Sequence, residues 1–196
     1  MIGYLFSLVI LVFTACIAQQ FVPAFTSLYE ARILILPLVF LCSAVTVHVG
    51  PMLLLAFICG FLWDAQHLLG PPGGDPRVYT DPVEMMMFGY SIVLYAGMGF
   101  LMQGIQPLFR EGKWQVSVPL SGIAIFFYLS AEFLLITFVR GDFLVTRGVV
   151  MKITFSSVLT MLFSPFVFWI LFKLAALCRH TIRYEGLKTI RRGYAD

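Results

Sequence analysis

The sequence has few charged residues. Asp, Glu, Lys and Arg make up 12% of its 196 residues, whereas 60% of the residues are hydrophobic. Its mean hydropathy of +0.94 is far above that of soluble globular domains. A chain of this length buries too small a share of its surface to hide so many apolar side chains from water. The scarcity of charge therefore excludes an ordinary soluble domain and indicates a protein embedded in a lipid bilayer.

The sequence also lacks the cysteine patterns of metal sites and disulfide-rich domains. Its four cysteines, Cys16, Cys42, Cys59 and Cys178, form no C-x-x-C pair and have no zinc-ligand partner at short spacing. Three lie inside apolar runs, and Cys178 lies at the end of one. We expect small buried thiols rather than a disulfide framework, and we predict no metal or other cofactor.

Motifs typical of enzymes are missing as well. No H-E-x-x-H, no G-x-S-x-G and no glycine-rich phosphate loop occurs, and His48, His67 and His180 are isolated from one another. Outside the C-terminal tail, no basic patch is interleaved with aromatic residues, so no nucleic-acid partner is expected. The sequence therefore predicts a protein that is not an enzyme and that acts in or beside the membrane.

What the sequence does contain is a series of apolar runs. A membrane helix needs roughly 20 apolar residues, because each adds about 1.5 Å to a path of ~30 Å. The second and third runs meet at Gly50 and Pro51, which favours a tight helical hairpin over one bent helix. The predicted fold is one all-α bundle of about six transmembrane helices, at 2–18, 33–47, 51–66, 84–105, 118–139 and 149–174.

Lysine and arginine are unequally shared between the two sides of such a bundle. If both termini are cytoplasmic, eight basic residues lie inside and five outside, and positively charged flanks are held in the cytoplasm. We therefore predict a multi-pass protein of a bacterial inner membrane with both termini cytoplasmic. The five outer residues are Arg32, Arg77, Arg140, Arg147 and Lys152; the eight inner ones are Arg110, Lys113, Lys173, Arg179, Arg183, Lys188, Arg191 and Arg192.

The last part of the chain is basic. We divide the sequence into a polytopic membrane domain at 1–178 and a basic cytoplasmic tail at 179–196. Each basic residue near an anionic membrane surface contributes about 1 kcal/mol, so the tail is expected to bind anionic lipid, with a cytoplasmic protein partner as the alternative. The residues concerned are Arg179, Arg183, Lys188, Arg191 and Arg192.

Three ionisable residues in the apolar runs stand out: Asp64, Glu132 and Lys152. A charge in hydrocarbon costs at least ~2.5 kcal/mol, so each residue needs a partner or a purpose. The predicted topology places all three in the outer half of the membrane, where they could form an intramembrane polar cluster or contact a partner. The alternative is a protonated Glu132, a Lys152 that reaches the outer interface, and an Asp64 that caps a helix end.

Small residues mark two predicted packing faces. Ala56, Gly60 and Asp64 repeat every four residues and therefore share one face of the third helix. Gly89 and Gly97, with further small residues up to Gly104, provide a second such surface on the fourth helix. Helices approach one another closely where side chains are small, so these positions predict contacts within the bundle rather than a partner site.

Two short segments resemble a known family. Gly60-Phe61-Leu62-Trp63-Asp64-Ala65 near the end of an early helix, followed by Phe88-Gly89-Tyr90-Ser91 at the start of the next, resembles the rod shape-determining protein MreD family. The small all-membrane body and the basic C-terminal end are similar too. The longer Pro-Gly-rich connection between the two segments, at 67–83, departs from the family pattern.

The resemblance implies a function and a set of partners. It implies a non-enzymatic scaffold of the bacterial cell-elongation machinery, which maintains rod shape by binding MreC and, indirectly, MreB and the peptidoglycan synthases. Asp64 matches the family's aspartate and is implied to be a structural or partner-contacting group. The fold of this family is similar to that of the S components of energy-coupling-factor transporters. The alternative function is therefore a vitamin-binding S component, with a pocket lined by Trp63, Asp64, Gln66, Tyr90 and Glu132.

Overall fold

The described part of the chain is helical. The computed structural model describes residues 2–25, 28–29, 31–68, 89–109, 114–140 and 146–178. Within these ranges the predicted all-α architecture is confirmed, and the only extended pairing is an isolated antiparallel bridge between Phe25 and Ala31. The described residues form six helices: α1 (Ile2–Phe21), α2 (Ile35–Ala44), α3 (Val49–Leu68), α4 (Tyr90–Phe109), α5 (Trp114–Arg140) and α6 (Arg147–Leu177).

Four of these helices are long and apolar enough to cross a membrane: α1, α3, α5 and α6. Helix α4 has 20 residues but contains Gln103 and Gln106, and it is not among the four. Helix α2 has only 10 residues, about 15 Å. The prediction that the second apolar run is a helix over 33–47 is therefore wrong at both ends, because residues 31–34 are not helical and residues 45–48 form a turn.

The helices run alternately up and down between two ends of the bundle. The near end is where α1 begins, and there Ser7 Oγ lies 3.5 Å from Cys178 Sγ, just beyond the end of α6. The far end is where α1 finishes, and there Gln19 Nε2 donates a 2.9 Å hydrogen bond to the Ile33 carbonyl. The beginning of α1 and the finish of α6 therefore lie at the same end of the bundle.

The short helix α2 lies at the centre of the bundle and contacts each of the other five helices. Nine of its ten residues are buried. With the non-helical residues on both sides, it passes from the level of Gln19 at the far end to that of Tyr4 at the near end, where Tyr4 Oη donates a 2.9 Å hydrogen bond to Thr46 Oγ1. The second apolar run thus traverses the bundle, but only ten residues of it are helical.

Side chains from other helices satisfy the backbone groups that this short helix leaves free. Gln19 Oε1 accepts hydrogen bonds from the Ile35 and Leu36 N–H groups at 2.6 and 3.4 Å. Gln103 Nε2 donates to the Ala44 and Val47 carbonyls at 2.7 and 2.6 Å. Backbone groups without partners are costly in lipid. Two glutamines from neighbouring helices therefore make a ten-residue helix tolerable inside the membrane domain.

Candidate functional site

The last two turns of α3 meet the start of α4 at the far end of the bundle. Asp64 Oδ2 accepts a 2.7 Å hydrogen bond from the backbone N–H of Gly89, the residue that precedes α4. The Asp64 side chain is buried, with 6% of its surface exposed. A carboxylate at a helix N-terminus is favoured by the helix dipole, and its bond to an N–H group is strengthened by its charge. Asp64 therefore fixes the start of α4 to the end of α3.

Gly89 adopts a backbone conformation that favours glycine. Its φ is +102°, in a region that residues with a side chain rarely adopt. Among the described residues, no neighbouring atom lies within 4 Å of the position that a Cβ would occupy, so the requirement comes from the backbone rather than from packing. The sequence predicted Gly89 as a helix-packing residue; the structure places it at a turn that presents its N–H to Asp64.

An aromatic cluster lies beside Asp64 and leads into the core. Trp63, Tyr128 and Tyr95 are buried and pack edge to face, with centroid distances of 6.4 Å between Trp63 and Tyr128 and 5.4 Å between the tyrosines. The Trp63 indole N–H donates a long hydrogen bond of 3.4 Å to Glu132 Oε1. Both carboxylates, of Asp64 and Glu132, are close enough to act electrostatically on the tyrosine hydroxyls.

The two tyrosine hydroxyls are the unusual feature of this cluster. Tyr95 and Tyr128 are each 1% exposed. Among the described residues neither hydroxyl makes a hydrogen bond of good geometry, and the two hydroxyls lie close enough to interact with each other. Sequence reasoning missed both residues, although two tyrosines within apolar helices, next to runs that contain Asp64 and Glu132, were a usable signal.

Lys152 lies at the same depth as Glu132, on the helix that packs against α5. Ser121 of α5 donates a 2.7 Å hydrogen bond to Ser164 of α6, which fixes the register of this antiparallel pair. Counted from that bond, Glu132 and Lys152 both lie about three turns towards the far end. The Lys152 side chain is exposed, whereas Glu132 is partly buried. The structure therefore brings Asp64, Glu132 and Lys152 to one end of the bundle, and the direct pairing of Lys152 with an acid stays a prediction.

The small residues of the predicted packing faces have different surroundings. A Cβ on Gly60 would lie 2.5 Å from Ile92 Cα, so α3 and α4 are in backbone contact at this point. Ala56, one turn earlier, is 1% exposed and belongs to the core. Gly97 differs, because no atom of the described part of the chain lies within 4 Å of where its Cβ would be. On α4 the tight position is Gly99, against the Met52 sulfur and the Phe40 ring.

Several contacts between helices, most of them polar, were not predicted from the sequence. Besides Gln19 and Gln103, Thr160 Oγ1 of α6 accepts a 3.1 Å hydrogen bond from the Leu34 N–H. Gly122 of α5 contacts the Met161 side chain of α6, with 2.8 Å between its Cβ position and the sulfur. The available signal was the presence of Gln, Ser and Thr inside apolar runs, because such residues bond across helices in membranes.

Two residues of the alternative binding pocket, Gln66 and Tyr90, lie in different surroundings. Gln66 Nε2 donates a 2.7 Å hydrogen bond to the Cys16 carbonyl, which joins α3 to α1. Tyr90 is 36% exposed at the start of α4.

The tail residues Arg179, Arg183, Lys188, Arg191 and Arg192 lie outside the described residues. All four cysteines are free thiols, and no group of metal ligands occurs within the described ranges.

No family model, curated protein or solved structure matches this sequence.

Proposed function

We propose that this protein is a non-enzymatic scaffold of the bacterial cell-elongation machinery. It acts by binding MreC, and through MreC it is linked to MreB and to the peptidoglycan synthases. The proposal starts from the resemblance of two sequence segments to the MreD family. It adds the physical relationship between those segments in the folded chain.

The observation that carries the proposal is that the two resembling segments form one structural unit. Gly60 contacts the backbone of Ile92, and Asp64 accepts the hydrogen bond from Gly89. The residues that define the resemblance are separated in sequence by a long connection, yet together they form one corner of the bundle. A shared corner of this kind gives a partner protein a fixed surface, which is what a scaffold requires.

The use of polar side chains also favours a scaffold. Gln19, Gln66 and Gln103 are each engaged with backbone groups of another part of the chain, and Ser121 is bonded to Ser164. A catalytic site needs convergent polar groups that are free to act on a substrate. Within the described residues these polar groups hold helices together instead.

The membrane placement is part of the proposal. We infer that the near end of the bundle faces the cytoplasm of a bacterial inner membrane, because the basic tail follows Cys178 at that end. The Asp64–Glu132–Lys152 group then lies towards the outer face. A bitopic partner with a large periplasmic part, as the resemblance implies for MreC, would meet the bundle on that side.

One observation favours a second candidate, a small-molecule-binding S component of a vitamin transporter. The buried hydroxyls of Tyr95 and Tyr128, beside Trp63 and two carboxylates, have the character of a ligand site. Against it, Gln66 is engaged with Cys16 and Tyr90 lies at the surface. The scaffold is therefore the first proposal and the S component the second.

Co-purification separates the two candidates. The tagged full-length protein is extracted from its native membrane in mild detergent, and its partners are identified by mass spectrometry. The scaffold proposal expects MreC in stable complex, and the S-component proposal expects a transmembrane coupling protein with ATPases. Recovery of ATPases and a bound vitamin-sized molecule, without MreC, would overturn the first proposal.

A pair of variants makes the result specific to the corner of the bundle. Asp64→Ala removes the bond that joins α3 to α4, and it is expected to reduce MreC recovery strongly. Thr14→Val is the matched control, because the Thr14 hydroxyl is exposed and bonds only to Ile10 within α1. Equal recovery of MreC with both variants would show that MreC binding does not depend on this corner of the bundle.

A further inference from the structure

The lipid-facing side of α6 carries a single cation within an apolar stripe. Phe166, Trp169, Lys173 and Leu177 follow one another at helical spacing and are all exposed. The Lys173 ammonium lies 3.9 Å from the centre of the Trp169 ring, a cation–π contact. Trp169 is itself stacked on Phe166, with centroids 6.1 Å apart. The charge is therefore held against aromatic surface.

The position of Lys173 along α6 matches a membrane boundary. No charged residue occurs between Lys152 and Lys173, and both lysines are exposed. The intervening stretch, 153–172, is about 30 Å long, which is the thickness of the hydrocarbon core. Lys173 thus lies where the near end of the bundle meets the headgroup layer.

Within the described part of the chain, no acid at that end of the bundle balances the charge of Lys173. Among the described residues the only carboxylates are those of Asp64 and Glu132, and both lie at the far end. A cation at headgroup depth interacts favourably with an anionic lipid. The cation–π contact with Trp169 holds the ammonium against the ring but supplies no opposite charge.

We propose that Lys173 and Trp169 form a binding site for an acidic phospholipid. The lysine ammonium binds the phosphate of the headgroup, and Phe166 and Trp169 contact the first part of an acyl chain. Charge complementarity identifies the ligand. An ammonium group at headgroup depth, on an otherwise apolar stripe, matches a molecule that has one anionic group next to a hydrocarbon chain. This site is independent of the proposed scaffold function.

The test measures which lipid surrounds Trp169. The full-length protein is reconstituted in phosphatidylcholine vesicles that contain either brominated phosphatidylglycerol or brominated phosphatidylcholine. Bromine quenches tryptophan fluorescence on contact, and subtraction of the signal of Trp169→Phe isolates the contribution of Trp169. We expect phosphatidylglycerol to be preferred about fivefold at this position, because a basic residue at an anionic surface contributes about 1 kcal/mol.

Two lysine variants decide the outcome. Lys173→Gln is expected to reduce the preference to nearly one, since the charge is lost from an exposed position that packing does not constrain. Lys152→Gln, on the same helix at the opposite end, is expected to keep the fivefold preference. The proposal is overturned if the two brominated lipids quench Trp169 of the unchanged protein equally. It is also overturned if the preference persists in Lys173→Gln.

Discussion

The Asp64 carboxylate and the backbone N–H of Gly89 are joined by a 2.7 Å hydrogen bond that connects the end of α3 to the start of α4. The two residues lie 25 positions apart in the chain. The bond is partly buried and involves a charged acceptor, which makes it stronger than a neutral hydrogen bond. It also brings together the two segments on which the resemblance to the MreD family rests.

Removal of the Asp64 carboxylate is expected to destabilise the bundle. Asp64→Ala leaves the Gly89 N–H without its acceptor, at a cost of about 1 to 3 kcal/mol in the free energy of unfolding. Asp64→Asn keeps an oxygen acceptor without the charge, and it should cost less than half as much. Unfolding of the purified protein in mixed detergent micelles measures both values. Equal losses would show that the charge, rather than the acceptor, matters at this position.

Any side chain at position 89 is expected to strain the backbone. Gly89→Ala places a Cβ on a residue with φ of +102°, which costs about 1 to 3 kcal/mol. Gly97→Ala is the matched control in α4, because its Cβ meets open space and alanine favours a helix over glycine. The thermal midpoint should fall for the first variant and stay equal or rise for the second. A harmless Gly89→Ala would contradict the conformation described for this turn.

The contact between α3 and α4 at Gly60 is expected to tolerate no added atom. A Cβ on Gly60 would lie 2.5 and 2.6 Å from the Cα and N atoms of Ile92, and backbone cannot move aside without shifting a helix. Gly60→Ala should therefore cost about 1 to 3 kcal/mol, as overpacking does in tight cores. Trimming the neighbour in a Gly60→Ala/Ile92→Ala double variant should give little recovery. Substantial recovery would mean that the Ile92 side chain, not its backbone, sets the distance.

Gly99 provides a contrast to Gly60. Its neighbour is the sulfur of Met52, at the end of a flexible side chain. Gly99→Ala should therefore be less destabilising than Gly60→Ala, and Met52→Ala in the same chain should relieve the contact with the sulfur. Unfolding free energies of these variants, alone and combined, give the comparison directly. A loss at Gly99 as large as that at Gly60 would contradict it.

The Gln103 amide is expected to be essential for the short central helix. Gln103→Met keeps the volume but removes donors to the Ala44 and Val47 carbonyls. Hydrogen bonds between membrane helices contribute about 0.6 kcal/mol on average and up to about 1.7 kcal/mol, so we expect a loss of about 1 to 3 kcal/mol. Thr14→Val, which removes only an exposed bond within α1, is the control. A loss no larger than that of the control would refute the capping role.

The placement of Glu132 and Lys152 at the same depth leads to a prediction about charge reversal. If Lys152 balances Glu132, then Glu132→Lys and Lys152→Glu each place like charges at the same depth, and membrane accumulation of each single variant should fall severalfold. The double variant restores opposite charges and should restore accumulation. Detergent-extracted protein, quantified by a fluorescent fusion, gives the measurement. Failure of the double variant to recover would favour the alternative in which Lys152 reaches the interface alone.

The sequence predicted much of the fold because the relevant signals are local. Helices α1, α5 and α6 were predicted within a few residues, since long apolar runs with few charges favour helix, which satisfies its own backbone groups in lipid. The common depth of Asp64, Glu132 and Lys152 also followed from counting alternating helices. The candidate site was predicted less completely, because Tyr95 and Tyr128 differ from lipid-facing aromatic residues only in their neighbours.

The amino-acid sequence alone indicated a membrane environment, the helical class and the approximate ends of the longest helices. Hydropathy and the need to satisfy backbone hydrogen bonds in lipid can both be evaluated within a single segment of sequence. Only the tertiary structure decided that the second apolar run is helical over just Ile35–Ala44. The Gln19, Gln103 and Thr160 side chains that accept or donate hydrogen bonds along this run come from three other helices. Packing between distant parts of the chain decides which side chains form these hydrogen bonds, and no local sequence pattern predicts it.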